Sequence, residues 1–582
     1  MSSKYEKITD LAKRRGLFTQ SAEIYGGVAG FIDYGPIGTQ IKSNIAELWK
    51  NIFIYSHADL VYQVETPIIT PEQVFKASGH VDHFTDPVVE CPQCGRIYRA
   101  DHLLEEELGL NTQNMDNEEI SGYFKKGVKC PFCGGQLTQP YSFNLLFKTN
   151  IGPYASSIGY IRAETAQGMF TLFKRAHEAL REKRVFGLAQ IGKVGRNEIS
   201  PRQGPLRLRE FTQMELEFFF DPEDPHYDDL LLDVENRTLR LLLEGQPNVS
   251  EIKLQEAVES NIVCNWWLAY FMALGERFVE SLGFPSESYH FLEVPKHKLP
   301  HYSKQTWDLM VKVDKWGWVE IAGYSYRGDF DLSAHSKLSG VDLSVFKPHE
   351  KPVVKKRLRF KWDVNRLKSI YAEKTGLIIS KLKGLNESEV QESIEKGFLD
   401  VDGIKVNVSD LEIEEIVEQE KGIKYFPNVV EPSFGLDRIF YAVIDNSYTE
   451  REGRVVLRLP RIIAYPQIGV LPLVKRDGLD TVAKKLFVQL CKAGLKVTYD
   501  DDGSIGRRYS RLDEIGVPVC VTIDHQTLED GSVTLRDRDT WLQVRVKTDA
   551  LIGSLKKFIY ENADIHTLGE PFNVGQNERI KT

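Results

Sequence analysis

The sequence predicts an α+β protein in two parts, a large body containing antiparallel strands and a smaller α/β unit at its C-terminal end. Three observations lead there. Val185 to Gly195 and Phe211 to Phe220 are strand-like runs, separated by a polar loop with Pro201, Gly204 and Pro205, so the two pair antiparallel. After about Leu459, strand and helix patterns alternate, as in a small mixed sheet flanked by helices. A chain of 582 residues, 42% hydrophobic and 27% charged, has the make-up of a soluble globular protein with two to four cores. No apolar run reaches the ~18 residues of a membrane span. The opening MSSKYEKITDLAKRRGLF is polar and helical rather than a signal peptide, and a cytoplasmic protein with no membrane partner is expected.

Taken in order, the first strong pattern is a helix from Ile41 to Phe53, followed by a strand ending at Thr66-Pro67. The cysteines come next. Four of the seven form CPQCG (Cys91, Cys94) and CPFCGG (Cys130, Cys133), two knuckles whose thiolates make a tetrahedral set suited to structural Zn2+. The acidic stretch between them is expected to be helical. Two disulfides are the rival reading. They are disfavoured because no secretory signal precedes them and Cys264, Cys491 and Cys520 stand singly. A closed four-thiolate site leaves no position for substrate.

The loop between the paired strands carries Arg196, Arg202, Arg207 and Arg209, interleaved with Glu198 and Glu210. Planar guanidinium forks converging on one loop suit a polyphosphate; a solvated, salt-bridged hairpin is the alternative. Farther on, Lys351 to Lys368 (KPVVKKRLRFKWDVNRLK) is basic and interleaved with Phe360 and Trp362, inside an apparent insertion. Its cations could meet RNA phosphates and its aromatics an unpaired base, or it is an amphipathic segment with a solvated face. The net charge of −9 does not oppose local RNA contact. At Glu431 to Arg438, EPSFGLDR runs into the apolar IFYAVI, placing backbone N–H groups and a guanidinium at a helix N-terminus, an anion site.

In the C-terminal part, RIIAYPQIGVLPL reads as a buried strand and GLDTVAKKLFVQLCKAG as an amphipathic helix closed by Gly494. LKVTYDD is a strand, IGRRYSRLDEIG a helix and PVCVTID a strand. A hairpin-like pair is expected around Glu529-Asp530-Gly531, then a terminal helix in LIGSLKKFIYENA. This part resembles the anticodon-binding domain shared by the glycyl, histidyl, prolyl and threonyl-tRNA synthetases, and the resemblance makes Arg507, Arg508, Arg511, Arg536 and Arg538 candidate RNA contacts.

Arg196, Glu198, Arg207 and Phe211 match the Arg-x-Glu, loop, Arg-x-x-x-Phe pattern, and the segment resembles motif 2 of the class II aminoacyl-tRNA synthetases. EPSFGLDR resembles motif 3, and the Ile41–Phe53 helix with its strand resembles motif 1, the dimer element of that class. RAETAQG (Arg162 to Gly168), REFTQMELEFF, VVEPSFGLDR and DDDGSIGRRYSRLDEIGVP resemble the glycyl-tRNA synthetases of the dimeric type, closer to the archaeal and eukaryotic branch.

That resemblance implies a class II antiparallel sheet, interrupted by a zinc-knuckle insertion and a basic insertion, with a C-terminal α/β anticodon-binding domain. The implied boundaries are 1–90 with motif 1, 91–140 for the knuckles, 141–340 with motif 2, 341–405 for the basic insertion, 406–458 with motif 3, and 459–582. It implies a homodimer that activates glycine with ATP and Mg2+ and transfers it to tRNA(Gly). Arg196 and Arg438 would act on the α-phosphate and clamp ATP. Asn197, Glu198, Leu206, Arg207, Leu208, Arg209, Glu210, Phe211, Glu320, Ile321, Gly435, Leu436 and Asp437 would complete the ATP site, with Glu320 near magnesium. The glycine pocket would use Arg99, Glu164, Thr212, Gln213, Met214, Glu215, Glu431, Pro432, Ser433 and Phe434, together with Phe211 and Gly435.

The physics of such a pocket is coherent. Glycine offers only an ammonium, a carboxylate and an empty Cα, so carboxylates and an arginine recognise it and steric exclusion rejects larger amino acids. The chemistry needs no nucleophilic side chain, and His80, His83 and His335 are left without a role. Two rivals remain. A non-catalytic tRNA-binding relative would usually lack the motif arginines, which are present here. The prolyl or threonyl enzyme is disfavoured by the acidic set and Ser433. One segment departs from the family wording: in AGYSYRGDFDLSAH, Tyr324 and Tyr326 are bulky for their place, so no role is carried to Arg327.

Overall fold

A computed structural model describes residues 2–572 apart from 111, 113, 114, 116, 155, 200, 202, 203, 224–233 and 235, so Arg202 lies outside the described residues. The chain forms two compact units, one of Met1–Leu343 with Pro427–Thr582 and one of Ser344–Phe426.

In the first unit, nine strands among the described residues build one sheet: β1 (Val61–Gln63), β2 (Phe186–Gly195), β3 (Glu210–Phe220), β4 (Thr238–Leu242), β5 (Ser250–Lys253), β6 (Tyr289–Glu293), β7 (Gln305–Val313), β8 (Gly317–Gly328) and β9 (Asn428–Gly435). Their order is β5-β4-β6-β7-β8-β9-β3-β2-β1, antiparallel except where β4 meets β6 and β1 meets β2. The expected pairing of β2 with β3 is present, Gly195 lying opposite Glu210.

Alternation along β3 assigns its two faces. Met214, Leu216, Phe218 and Phe220 enter the main core, while Gln213, Glu215 and Glu217 face the other way. The apolar face is covered by helices α1 (Pro36–Phe53) and α3 (Trp266–Ser281), with α5 (Leu436–Ser447); the opposite face carries α2 (Ala166–Ala179) and α4 (Phe330–Ser339). Helix α3 is apolar nearly all round and is capped by Asn265, whose side chain accepts from the backbone N–H of Trp267 and Leu268. Helix α1 contains the expected Ile41–Phe53 segment, but the strand after it ends at Gln63 rather than Thr66-Pro67.

The C-terminal part has a six-stranded mixed sheet with Ile468–Pro472 parallel to Val497–Tyr499 and Val519–Ile523. Ser532–Asp537 and Gln543–Lys547 follow as an antiparallel pair. The turn of that hairpin is at 538–542, not at Glu529-Asp530-Gly531. Those three residues end a short helix, His525–Asp530, which Gly531 closes at φ +69°.

The second unit is a long two-stranded ribbon, Val345–Lys361 against Glu412–Tyr425, with three helices between them. The returning strand carries it to Phe426, so the insertion spans 344–426 rather than 341–405. Pairing also changes the reading of the basic run. Lys356, Arg359 and Lys361 form ion pairs with Glu415, Glu414 and Glu412 on the opposite strand. Phe360 is buried in this unit's core and is not free to stack on a base, while the half-buried Trp362 packs against that core.

Candidate active site

The polar face of β3, β9 and β8 floors a cleft. Register aligns Glu215 with Ser433 and Ser433 with Gly323, and aligns Glu431 with Ser325. Small residues therefore stand where the cleft needs room. Tyr324 and Tyr326 do not obstruct it. Tyr324 points into the apolar core, packed on Phe291 and Phe434, and its hydroxyl occupies the space over Gly275 of α3, where a Cβ would lie 1.9 Å away. The anticipated misfit at this segment is thus resolved by strand alternation.

At one end of the cleft the motif arginines close on each other. Arg196 Nε donates to the carbonyl of Ala163 (3.1 Å), and its guanidinium lies 5.4 Å from the ring centres of both Phe84 and Phe211. Arg207 Nε donates to Glu198 Oε2 (2.8 Å). From the far side, Arg438 donates to the carbonyl of Leu206 (3.0 Å) and to Glu320 Oε2 (3.2 Å). Helix α5 begins at Leu436 after a Gly435 cap without a side-chain bond. Asp437 anchors it, accepting from Lys42 Nζ (2.6 Å), Tyr34 Oη (2.6 Å) and the Thr212 N–H (2.6 Å). Beside Glu320, burial pushes the Asp308 carboxyl up to about 8, with Glu320 adding to the rise and Arg438 opposing it.

At the other end is a buried acidic cluster. Glu215 accepts from Ser433 Oγ (2.7 Å), Gln213 Nε2 (3.3 Å) and the Thr165 N–H (2.9 Å). Glu164 lies 3.4 Å from His80 Nε2 and accepts from Gln167 Nε2 (2.9 Å). Burial opposes its ionisation, but His80, Arg327 and Gln167 together hold it well below the usual carboxylate range. The centre of the cluster is Arg327, which no sequence reading had assigned. It is 1% exposed, makes two bonds to Asp331 (2.7 and 2.9 Å) and one to Glu431 (2.9 Å), and lies 3.8 Å above the ring of Tyr302. Against burial, Asp331, Glu431 and Glu164 keep it charged.

Lining the cleft are Glu164, Arg196, Glu198, Leu206, Arg207, Leu208, Phe211, Gln213, Glu215, Glu320, Ile321, Glu431, Ser433, Gly435, Asp437 and Arg438 of the expected set. Others support it from behind. Met214, Phe434 and Leu436 are core residues on the opposite face, and Pro432 is buried beside them in register with Tyr324. Arg209 holds the carbonyls of Glu198 and Ala29, Glu210 pairs with Lys193, the Asn197 N–H donates to Leu145, and Thr212 Oγ1 accepts from Lys42. Arg99 is bound to Asp86 and Asp101 and does not line the cleft. Of the three histidines left without a role, His80 faces Glu164 and His335 bonds Gln167, while His83 lies by His301. Their position follows from chain crossings that local spacing does not encode. Asp308 and Tyr302 were missed for the same reason.

The four knuckle cysteines meet as expected. Cys91 and Cys133 Sγ lie 3.4 Å apart and Cys94 and Cys130 Sγ 3.7 Å apart, all four unbridged. A tetrahedron of 2.3 Å zinc–sulfur bonds has S···S edges of about 3.8 Å, so the set fits that ion. Gly95 and Gly134 N–H groups donate to the carbonyls of Cys91 and Cys130, closing each knuckle. Against burial, the nearby Tyr98 hydroxyl and the backbone N–H groups of Cys133 and Phe132 draw the Cys130 thiol down to about 6. The acidic segment between the knuckles is helical at Ala100–Leu108 and Asn117–Lys125.

In the C-terminal part, four of the five candidate RNA arginines are structural. Arg508 donates to Gly503 and Pro472 carbonyls and Arg511 to Asp500. Arg536 makes two bonds to the fully buried Asp513 (2.9 and 3.0 Å), and Arg538 binds Asp539 and the carbonyls of Gly516 and Leu459. The fifth, Arg507, is exposed, and no acidic partner is bonded to its side chain among the described residues. Among the described residues no helix is long and apolar enough to cross a membrane.

Residues 467–558 match the family model described as an anticodon binding domain. The chain is 48% identical over 577 residues to the glycine–tRNA ligase of Aeropyrum pernix, covering 97% of this chain and 99% of that one. It is 44% identical over 570 residues to that of Pyrococcus furiosus, and 42% identical over 577 residues to that of Methanocaldococcus jannaschii, in both cases covering 96% of this chain and 99% of the relative. In fold it is similar to prolyl-tRNA synthetase from Cryptosporidium parvum solved with L-proline and AMP, with a TM-score of 0.50 at 13% identity, covering 96% of this chain and 78% of that one. With near-complete coverage at these identities, the chain belongs to the glycine–tRNA ligase family, whose class II sheet and C-terminal anticodon-binding domain it carries.

Proposed function

We propose that this chain condenses glycine with ATP to glycyl-adenylate and transfers the glycyl group to the 3′ end of tRNA(Gly). One observation carries the reading: a single cleft sets Arg196 and Arg438 at one end and the buried carboxylates Glu164, Glu215 and Glu431 at the other. An ammonium placed among those carboxylates puts the glycine carboxylate toward the arginines. A glycine oxygen then attacks the ATP α-phosphorus and the bond to pyrophosphate breaks. Arg196 and Arg438 stabilise the charge gained there, Arg207 meets the γ-phosphate end, and Phe211 with Glu198 receives adenine. In the second step the terminal adenosine hydroxyl attacks the glycyl carbonyl, losing its proton as AMP leaves. Magnesium would be held by Glu320 with Asp308 beside it, and supplies charge neutralisation at the phosphates. Gly323, Ser325 and Ser433 line the cleft beside the carboxylates, and rejection of larger amino acids would be steric.

The test is ATP–pyrophosphate exchange with each of the twenty amino acids. Exchange with glycine alone is expected; exchange with another amino acid alone would overturn the pocket, and none with or without tRNA would overturn the reaction. We further propose a cytoplasmic homodimer assembled through the α1 element, and one structural Zn2+ on Cys91, Cys94, Cys130 and Cys133. Cys130→Ser is expected to reduce metal content from about one zinc per chain to none, measured by elemental analysis, with the loss of thermal stability exceeding the loss of kcat.

We propose Arg507 as one RNA contact in the C-terminal domain. Arg507→Ala is expected to raise the KM for tRNA roughly tenfold without affecting exchange, as one phosphate contact would. Arg536→Ala instead strands Asp513 and is expected to cost about 3–5 kcal/mol in unfolding of that domain.

A further inference from the structure

Glu217 takes no part in the scheme above, although it belongs to the same acidic cluster. It follows Glu215 by two residues on the same face of β3, and the β3–β9 register brings it alongside Glu431. Oxygens of Glu215, Glu217 and Glu431 lie within 4.8 Å of one another, and all three residues are buried. Glu217 itself is 0% exposed, and neither of its oxygens has a hydrogen-bond partner among the described residues. Its neighbours are better supplied: Glu215 accepts from Thr165, Ser433 and Gln213, and Glu431 from Arg327. The charged groups facing Glu217 are Glu431 on β9, Arg327 on β8, Glu215 on its own strand and Asp331 on α4.

Like charges placed opposite each other across two strands repel, and a buried carboxylate without a donor is not sustained as an ion. The cluster therefore retains a proton. Burial pushes both Glu217 and Glu431 up, each aided by neighbouring carboxylates, but Glu431 has Arg327 bonded directly to it. The proton rests on Glu217.

We propose that Glu217 is a positioning residue for glycine recognition, a neutral carboxylic acid whose O–H reaches toward Glu431 and Glu215 and fixes the oxygens that receive the substrate ammonium. The role rests on the glycine-pocket reading given above. Neutrality is the point of it: a third ionised glutamate would drive Glu215 and Glu431 apart, whereas an O–H between them holds them at ammonium spacing.

The test uses the full-length chain in ATP–pyrophosphate exchange, with thermal melts for each variant and an infrared difference spectrum of wild type against E217Q. A glutamine side chain preserves a neutral, donating group, so E217Q is expected to keep the KM for glycine within about threefold of wild type. E217L removes the donor and is expected to raise that KM roughly ten- to a hundredfold, leaving the KM for ATP unchanged. The difference spectrum is expected to show a protonated-carboxyl C=O band at neutral pH that E217Q lacks. Absence of that band overturns the proposal, as does an E217Q defect as large as that of E217L, or an E217L enzyme with an unchanged KM for glycine. If wild type shows no glycine-dependent exchange, the pocket reading fails and the positioning role with it. The band is read without substrate, and so separates that failure from an error about the proton.

Discussion

Replacing Arg438 with alanine is expected to lower glycine-dependent ATP–pyrophosphate exchange by at least about a thousandfold in kcat/KM while leaving the protein folded. The guanidinium stands at the mouth of the cleft, its bonds going to the Leu206 carbonyl and to Glu320. One charged donor removed from a developing phosphoryl charge typically costs a hundred- to a thousandfold, and ATP clamping adds to that. Stability should change by no more than about 1 kcal/mol, because Arg438 and Glu320 form a half-exposed pair rather than a core contact. Arg438→Lys keeps charge without the planar fork and is expected to fall between. Full activity in a folded Arg438→Ala protein would sink the assignment.

Arg327→Met has the opposite signature. Arg327 and its partners Asp331, Glu431 and Glu164 are all buried, so removing the cation leaves carboxylates in the interior without their counter-charge. The expected cost is about 3–5 kcal/mol, read from denaturant unfolding, with loss of exchange following from collapse of the acidic floor. The defect should ease as pH falls, because protonating the stranded carboxylates removes the penalty. A melt indistinguishable from wild type would show that Arg327 is not the keystone of the cluster.

The contrast between these two arginines shows what the amino-acid order can reveal. Arg196, Glu198, Arg207, Phe211 and Arg438 were legible because each sits at fixed spacing on a hairpin or a strand–helix junction, where local geometry sets the direction of the side chain. Arg327, Tyr302, His80 and Asp308 reach the cleft from separate elements, and only the strand order brings them together. Glu217 looked like one more polar residue in an alternating strand; its burial depends on helices packed over both faces of the sheet. The acidic strand that pairs with the basic run from Lys351, Glu412–Tyr425, lies some fifty residues downstream and could not be read from the run itself. The ion pairs of three C-terminal arginines with Asp500, Asp513 and Asp539 were likewise not readable from local spacing. At Glu529-Asp530-Gly531 the composition of a turn was correct, but the same left-handed glycine serves equally well to end a helix.

The two-sided character of β3 has a bearing on how this protein can change in size. Adding a single residue between Gln213 and Phe220 would rotate every later side chain by half a period, sending the glutamates into the hydrocarbon interior and Leu216 and Phe218 into the polar floor of the cleft. Added length is accommodated most easily at the joints between strands. The cysteine module and the whole unit from Ser344 to Phe426 are accommodated between strands, where added chain shifts no register. Whole appendages can be gained or lost at such joints without disturbing the sheet, whereas within β3 a change of one residue exchanges its two faces.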